Sequence, residues 1–314
     1  SDILIEYGAK VVIGDSPGGP FIESRMRSIY KSTDMAKAAN MSGAKLNFNL
    51  KSTTIDNPEG KFFKKITVTD MIKDVDKIIN LPKLKTHGLA MYTGAVKNLF
   101  GLIPGSIKAE YHVKMPDVSD FSDAMIDICM AVKPVLNIMD GIIGMEGAGP
   151  TAGDPRQIGV ILASQSPYHL DKVASKIIGL DIKEIPILCQ SAKRELCSDD
   201  MDDIEIVGQN IADCIIDNFK KPPTNSGNIG RIPKPIMKVL IKHLKSKPVF
   251  DYNICVGCRD CAENCPPKII KMINNKPEVD YSKCIRCFCC QEFCPQKAVS
   301  IKQPILARII FRQK

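Results

Sequence analysis

Over its first two thirds, this chain places its hydrophobic residues in short dense runs separated by turn-forming residues. Val11–Ile13 is one such run. It is closed by Gly14-Asp15-Ser16-Pro17-Gly18-Gly19, which predicts a strand entering a turn-rich loop. Residues 21–41 carry helical spacing. Ile66–Val68 and Lys77–Leu81 read as strands; Thr69 caps a short helix from Asp70, and Pro82 stops the second strand. Helical periodicity returns over Tyr92–Leu102, Ser119–Val132 and Pro167–Gly179. Val135–Met139 and Gly159–Ala163 are apolar on both faces, as central or parallel strands are. Ile204–Val207 reads as a last short strand. Strands alternating with helices predict an α/β domain with a mainly parallel sheet over residues 1–219.

The pattern changes after residue 219. Residues 220–230 have the composition of a linker, and 233–247 form a basic amphipathic helix with Lys234, Lys238 and Lys242 at four-residue spacing. Bridging two domains is the preferred role for this helix, ahead of docking on a membrane surface. Residues 220–249 thus separate the α/β domain from a small module at 250–303, and 304–314 are a tail.

That module contains one cysteine sentence written twice. Asp251-Tyr252 precedes Cys255, Cys258, Cys261 and Cys265-Pro266; Asp280-Tyr281 precedes Cys284, Cys287, Cys290 and Cys294-Pro295, each position 29 residues on. The spacing C-x2-C-x2-C-x3-C-P is that of bacterial-type ferredoxins, in which three close thiolates hold one cluster and the fourth holds the other. Two 4Fe–4S clusters are expected, one on Cys255, Cys258, Cys261 and Cys294, the other on Cys284, Cys287, Cys290 and Cys265, in an α+β ferredoxin-like domain. A zinc site wants two ligand pairs, and a disulfide framework suits a small secreted chain, so both fit poorly. Cys289 breaks the repeat and reads as a small core or cluster-shell residue. Cys129, Cys189, Cys197 and Cys214 lack ligand spacing and read as buried small hydrophobes.

Composition narrows the setting. The net charge of +8 arises locally, because Asn218–Phe250 carries eight Lys or Arg and no acid. A basic connecting segment is not a basic fold, which argues against nucleic-acid binding. No apolar run is long enough for a membrane span, and free thiols with exposed clusters suit a reducing cytoplasm. The chain opens at Ser1 rather than Met, which reads as a fragment or a processed chain.

Two segments of the larger domain carry candidate chemistry. Lys83–Gly88 follows a strand, and a helix begins near Thr93-Gly94, so Lys85, Lys97, Asn98 and the helix N-terminus at Gly94 form a candidate anion pocket with His87. The second segment, Asp140–Arg156, holds five glycines in the thirteen residues from Gly141 to Gly153 and reads as a binding loop or lid. Its Asp140 and Glu146 could join His87 and His112 in metal binding or proton transfer. The plainer reading makes the lysines solvated and His87 a core histidine. No GxGxxG, P-loop or G-x-S-x-G is present.

LPKLKTHGLAMYTGAVKNLFGLIPG (81–105) and IMDGIIGMEGAGPTAGDPR (138–156) resemble the iron–sulfur family catalogued as domain of unknown function 362. The resemblance implies an α/β domain joined through a basic helical segment to a two-cluster ferredoxin module. It also implies an additional N-terminal strand and helix before Val11, and a different residue pattern around Ser166–Asp171. Lys85, His87, Lys97, Asn98 and Glu146 become site candidates, with His87 and Glu146 handling protons. The function expected is electron transfer from the clusters to a redox site acting on an anionic small molecule, an iron–sulfur oxidoreductase served by a redox partner protein or a small-molecule donor. The alternative is a non-catalytic ferredoxin-type carrier, or a redox-sensing or maturation protein, with the α/β domain as a docking module.

Overall fold

The computed structural model describes residues 1–115, 117–222, 246–302 and 304. It opens with α1 (Asp2–Glu6), β1 (Val12–Ile13), α2 (Glu23–Ser32), α3 (Met35–Ser42), β2 (Lys45–Leu46), β3 (Ser52–Asp56) and β4 (Lys65–Thr69). The helical stretch expected over 21–41 is two helices. Asp34 takes a φ of 57° between them, a left-handed conformation that a short polar side chain tolerates. β1 pairs with β2 in parallel, and β3 with β4 antiparallel.

The central sheet comes next. It holds β5 (Ile79–Asn80), β6 (Lys83–His87) and β7 (Met91–Thr93), then β8 (Leu136–Glu146) and β9 (Asp154–Ser164). Between β7 and β8 run α4 (Ala95–Asn98), α5 (Lys108–Lys114) and α6 (Val118–Val132). After β9 come α7 (Pro167–Ile177), α8 (Pro186–Lys193) and α9 (Ile211–Cys214). β5 and β6 behave as one strand interrupted at Pro82: Ile79 pairs with Leu136 and Lys83 with Asp140 at the same offset. The proline removes a donor but leaves its carbonyl, which accepts from Asp140 N at 2.9 Å.

Several expectations change here. The sheet is mixed: β5 and β6 pair with β8 in parallel, whereas β6–β7 and the long β8–β9 pairing are antiparallel. Lys83–His87 is itself a strand and not a loop after one. Most of the glycine-rich stretch is strand too, and only 147–153 turns. Glycine serves close approach there, since a Cβ on Gly144 would sit 2.9 Å from the Leu84 carbonyl of β6. Ile204–Val207 forms no strand.

Two cores flank the sheet. Phe121, Met125 and Ile128 of α6 pack with Ile66, Val68, Leu99 and Phe100, while Leu84, Met139 and Val160 pack with Leu170, Ala174 and Ile177 of α7. Each such Leu, Ile, Val, Met or Phe side chain contributes roughly 1.5–3 kcal/mol on burial. Caps set the helix starts: Asp117 accepts from Ser119 N at 2.8 Å before α6, and Ser166 accepts from His169 N at 3.2 Å before Pro167.

The carboxyl-terminal part contains β10 (Lys247–Phe250), α10 (Asp260–Glu263), β11 (Ile270–Ile273), β12 (Lys276–Val279), α11 (Cys289–Glu292) and β13 (Val299–Lys302). β10 pairs with β13 and β11 with β12, both antiparallel. The basic helix expected over 233–247 lies outside the described residues but for its end, where Lys247 opens β10.

Candidate functional site

The cysteine repeat is a repeat of backbone as well as of sequence. Positive φ values recur at the same offset: Gly257 and Arg286, Arg259 and Phe288, Lys268 and Lys297. Arg259 and Phe288 directly precede α10 and α11, so both three-cysteine loops curl alike around a hollow. One hollow is lined by Cys255, Cys258, Cys261 and Cys294 together with Phe250, Val256 and Met272. The other is lined by Cys265, Cys284, Cys287 and Cys290 together with Pro248, Ile270 and Phe288.

This sorting fits iron–sulfur chemistry: four sulfurs converge on each apolar hollow, and the fourth comes from the other copy. Burial pushes the Cys261 thiol up to about 11 and raises Cys265, Cys284 and Cys290 as well. Ionised thiolates there need a bound cation to hold them. Cys289 is buried but lines neither cavity. It shares a hydrogen bond with Cys287, which holds Cys287 low and Cys289 high.

α11 carries Cys290 toward its cavity and its other residues toward the α/β domain. The Gln291 amide donates to the Ala148 carbonyl at 2.9 Å, and Thr151 Oγ1 donates to the Glu292 carbonyl at 3.1 Å. The β8–β9 turn is thus the seat of the cysteine module. Gly88 and Gly18 complete the contact, since a Cβ on either would press on Ile301 or Phe293 at 2.7 Å.

Beneath α11 lies a group of charged side chains at the carboxyl end of β6. Period-two alternation puts Lys85 and His87 on one face. Lys97 comes from α4 and Lys108 from the start of α5. His87 Nδ1 accepts from Leu89 N at 3.0 Å and Ala90 N at 3.2 Å, so the ring proton sits on Nε2, which faces Glu292 Oε1 at 3.3 Å. Burial holds His87 well below its ordinary value, helped by Lys97 and Lys85, and the imidazole is neutral. His112 stacks on Phe121 at 4.8 Å and is lowered to about 3, again chiefly by burial.

The lysines are the unusual part. Lys97 Nζ lies 5.1 Å from the Phe100 ring and 5.6 Å from Phe121, and Lys108 Nζ lies 5.0 Å from Phe100 and donates to the Ser16 carbonyl. Among the described residues, none of Lys85, Lys97 and Lys108 forms an ion pair. Burial lowers all three, Lys97 and Lys108 to about 8; Glu292 and Asp15 oppose it from a longer range. Glu292 is raised by burial against the pull of the same lysines. Ser16 Oγ and Gln291 Oε1 are buried and unpartnered among the described residues.

Of the expected site residues, Lys85, His87 and Lys97 come together, with His112 beside them. Gly94 does not present a free helix N-terminus. Asp171 occupies it, accepting from Ala95 N at 2.6 Å and Val96 N at 3.1 Å, and a Cβ on Gly94 would overlap the Asp171 carboxylate. Asn98 donates to Asn80 Oδ1 at 2.8 Å and ties α4 to β5. Glu146 is engaged elsewhere, accepting from Lys220 N at 3.0 Å with Lys220 Nζ at 3.6 Å. Asp140 pairs with Lys83 at 2.6 Å on the surface. No group of metal ligands forms from His87, His112, Asp140 and Glu146. Lys108, Asp15 and Glu292 were missed. The repeat places Glu263 and Glu292 at matching positions, and only the structure separates them, Glu263 being exposed and Glu292 not.

Comparison with known proteins matches residues 1–176 to the family described as Domain of unknown function (DUF362), and residues 247–295 to a 4Fe-4S dicluster domain. A relative from Synechocystis sp. (strain ATCC 27184 / PCC 6803 / Kazusa), described as Thylakoid-associated protein sll1697, is 35% identical over 161 residues, 51% of this chain and 50% of the relative. The chain therefore spans about half the length of that relative. Among the described residues no helix is long and apolar enough to cross a membrane.

Proposed function

The chain belongs to the DUF362 family, and from that premise we propose that it is an iron–sulfur oxidoreductase whose α/β domain presents an anionic small molecule to a cysteine module holding two 4Fe–4S clusters. Cys255, Cys258, Cys261 and Cys294 hold the first cluster, and Cys284, Cys287, Cys290 and Cys265 the second, in a ferredoxin-like fold. Bound clusters supply one-electron transfer. The domains run 1–219, 220–249, 250–303 and 304–314. Thirteen cysteines with no disulfide among them suit a reducing cytoplasm.

One observation carries the reading: three lysines without ion pairs lie largely out of water where α11 meets β6. Uncompensated buried cations are costly, and an anion relieves that cost. Lys85, Lys97 and Lys108 bind the anion and neutralise it. His87, neutral and fixed by two backbone N–H groups, serves as an electrophilic hydrogen-bond donor through Nε2. The seated β8–β9 turn keeps bulk water from the contact.

The test uses anaerobic, chemically reduced protein and a panel of small carboxylates and inorganic oxoanions, following the visible absorbance of the clusters. A true substrate accelerates reoxidation. Lys85→Ala and Lys97→Ala should each raise its half-saturating concentration roughly ten- to a hundredfold, the loss of one charge-assisted contact worth about 1.5–3 kcal/mol. If no anion accelerates reoxidation of the parent, the carrier reading replaces this one.

A further inference from the structure

Charge is distributed unevenly around the two cysteine cavities. Behind the cavity of Cys265, Cys284, Cys287 and Cys290 stands Cys289, hydrogen-bonded to Cys287 and within electrostatic reach of Lys97. Lys97 packs on Phe100 and Phe121 rather than on a carboxylate, so its field is poorly screened. Lys85 and Lys108 lie close behind it. Glu292 is the opposing charge, on the helix that begins at Cys289. The other cavity is different. Cys258 is exposed and hydrogen-bonds with Asp260. Two cations stand there: Arg259 lines the cavity next to the acid Asp260, and Lys276 Nζ is spent on the carbonyls of Tyr252 and Cys255 at 2.6 and 2.8 Å.

We propose that Lys97, backed by Lys85 and Lys108, directs electron flow within the chain by making the Cys265–Cys284–Cys287–Cys290 cavity the place where an added electron rests. This depends on the reading that both cavities hold 4Fe–4S clusters, and not on the anion reading. Four thiolates leave such a cluster net negative, and reduction adds one further negative charge. A fixed cation nearby favours the reduced state, and a fixed anion disfavours it. A unit charge behind one layer of side chains shifts a one-electron equilibrium by roughly tenfold, about 59 mV. Electrons entering at the exposed first cavity therefore collect at the second, against the α/β domain. Lys97 is a positioning residue in this sense, acting on the electron and not on the reacting molecule.

The experiment is a redox titration followed by electron paramagnetic resonance, on the full chain with its clusters and no added anion. Lys97→Gln, Glu292→Gln and Asp260→Asn are compared at parental iron content. Lys97→Gln should lower one cluster's potential by about 59 mV, a tenfold change in its equilibrium. Glu292→Gln keeps an acceptor for His87 and should raise the potential of that same cluster. Asp260→Asn should raise the other. Should Lys97→Gln not retain iron, Glu292→Gln decides alone. The proposal fails if Lys97→Gln and Glu292→Gln move both clusters equally, move the cluster that Asp260→Asn moves, or move neither. Any of these leaves the two-cluster reading standing, whereas a parent holding a single cluster would overturn that reading and this proposal with it.

Discussion

Asp171→Ala should destabilise the α/β domain, and by an amount that depends on pH. The Asp171 side chain, 2% exposed, accepts from Ala95 N, Val96 N and Tyr92 Oη at 2.6, 3.1 and 3.3 Å. Alanine leaves three buried donors without a partner, at about 1–3 kcal/mol each, or about 3–5 kcal/mol together at the acid end. Burial raises the Asp171 carboxyl from 3.8 to about 7, with the two backbone N–H groups opposing the rise. The folded state thus holds this proton more tightly than the unfolded chain. Its stabilising contribution is full below the unfolded value near 4, declines as pH rises toward 7, and is constant above. At 1.36 kcal/mol per pH unit, going from about pH 5.5 to pH 8 removes about 2 kcal/mol from the parent and nothing from the variant. Thermal unfolding followed by far-ultraviolet circular dichroism reads this directly, at about 2–4 °C per kcal/mol for a domain of this size. We expect a deficit of about 12 °C at pH 5.5 and about half that at pH 8. An equal deficit at both pH values, or one below about 2 °C at both, would refute the reasoning.

Two further outcomes follow from the same geometry. Gly94→Ala should cost more than about 2 kcal/mol by thermal melting, because its Cβ would overlap Asp171 Oδ1 and Tyr92 Oη inside the core; a parental melting temperature would mean that the start of α4 has room for a ligand after all. Cys290→Ser should lose about half of the eight irons expected per chain while Cys289→Ser keeps them all, measured as iron and acid-labile sulfide; equal losses would overturn the ligand assignment drawn from the cavities.

What the sequence announced, it announced through local covalent constraints. Cysteine spacing specifies how a chain can curl, so which cysteines line each hollow was legible before any coordinates, as was the different place of Cys289, which lines neither. The starts of α6 and α7 were legible for a similar reason, since hydrophobic period and capping residues act within a few positions. Strand register was not. The glycine-rich stretch reads as a loop because glycine is a poor strand former, yet Gly141 and Gly144 lie in β8 where neighbouring backbones approach closely. Lys83–His87 reads as a loop after Pro82, yet β8 supplies the edge that carries the strand past the proline.

The candidate site divides along the same line. Lys85, His87 and Lys97 could be picked from one short stretch, because strand alternation and the following helix turn them to one side. Lys108, Asp15 and Glu292 could not, since nothing local relates positions far apart in the chain. Gly94 and Glu146 carried the right chemistry and lost it to Asp171 and Lys220, partners chosen by packing. Sequence by itself determined which cysteines group around each hollow, because the spacing that curls each loop is local. Only the tertiary structure decided which charges stand beside them, because electrostatics depends on distance in space and on the exclusion of water.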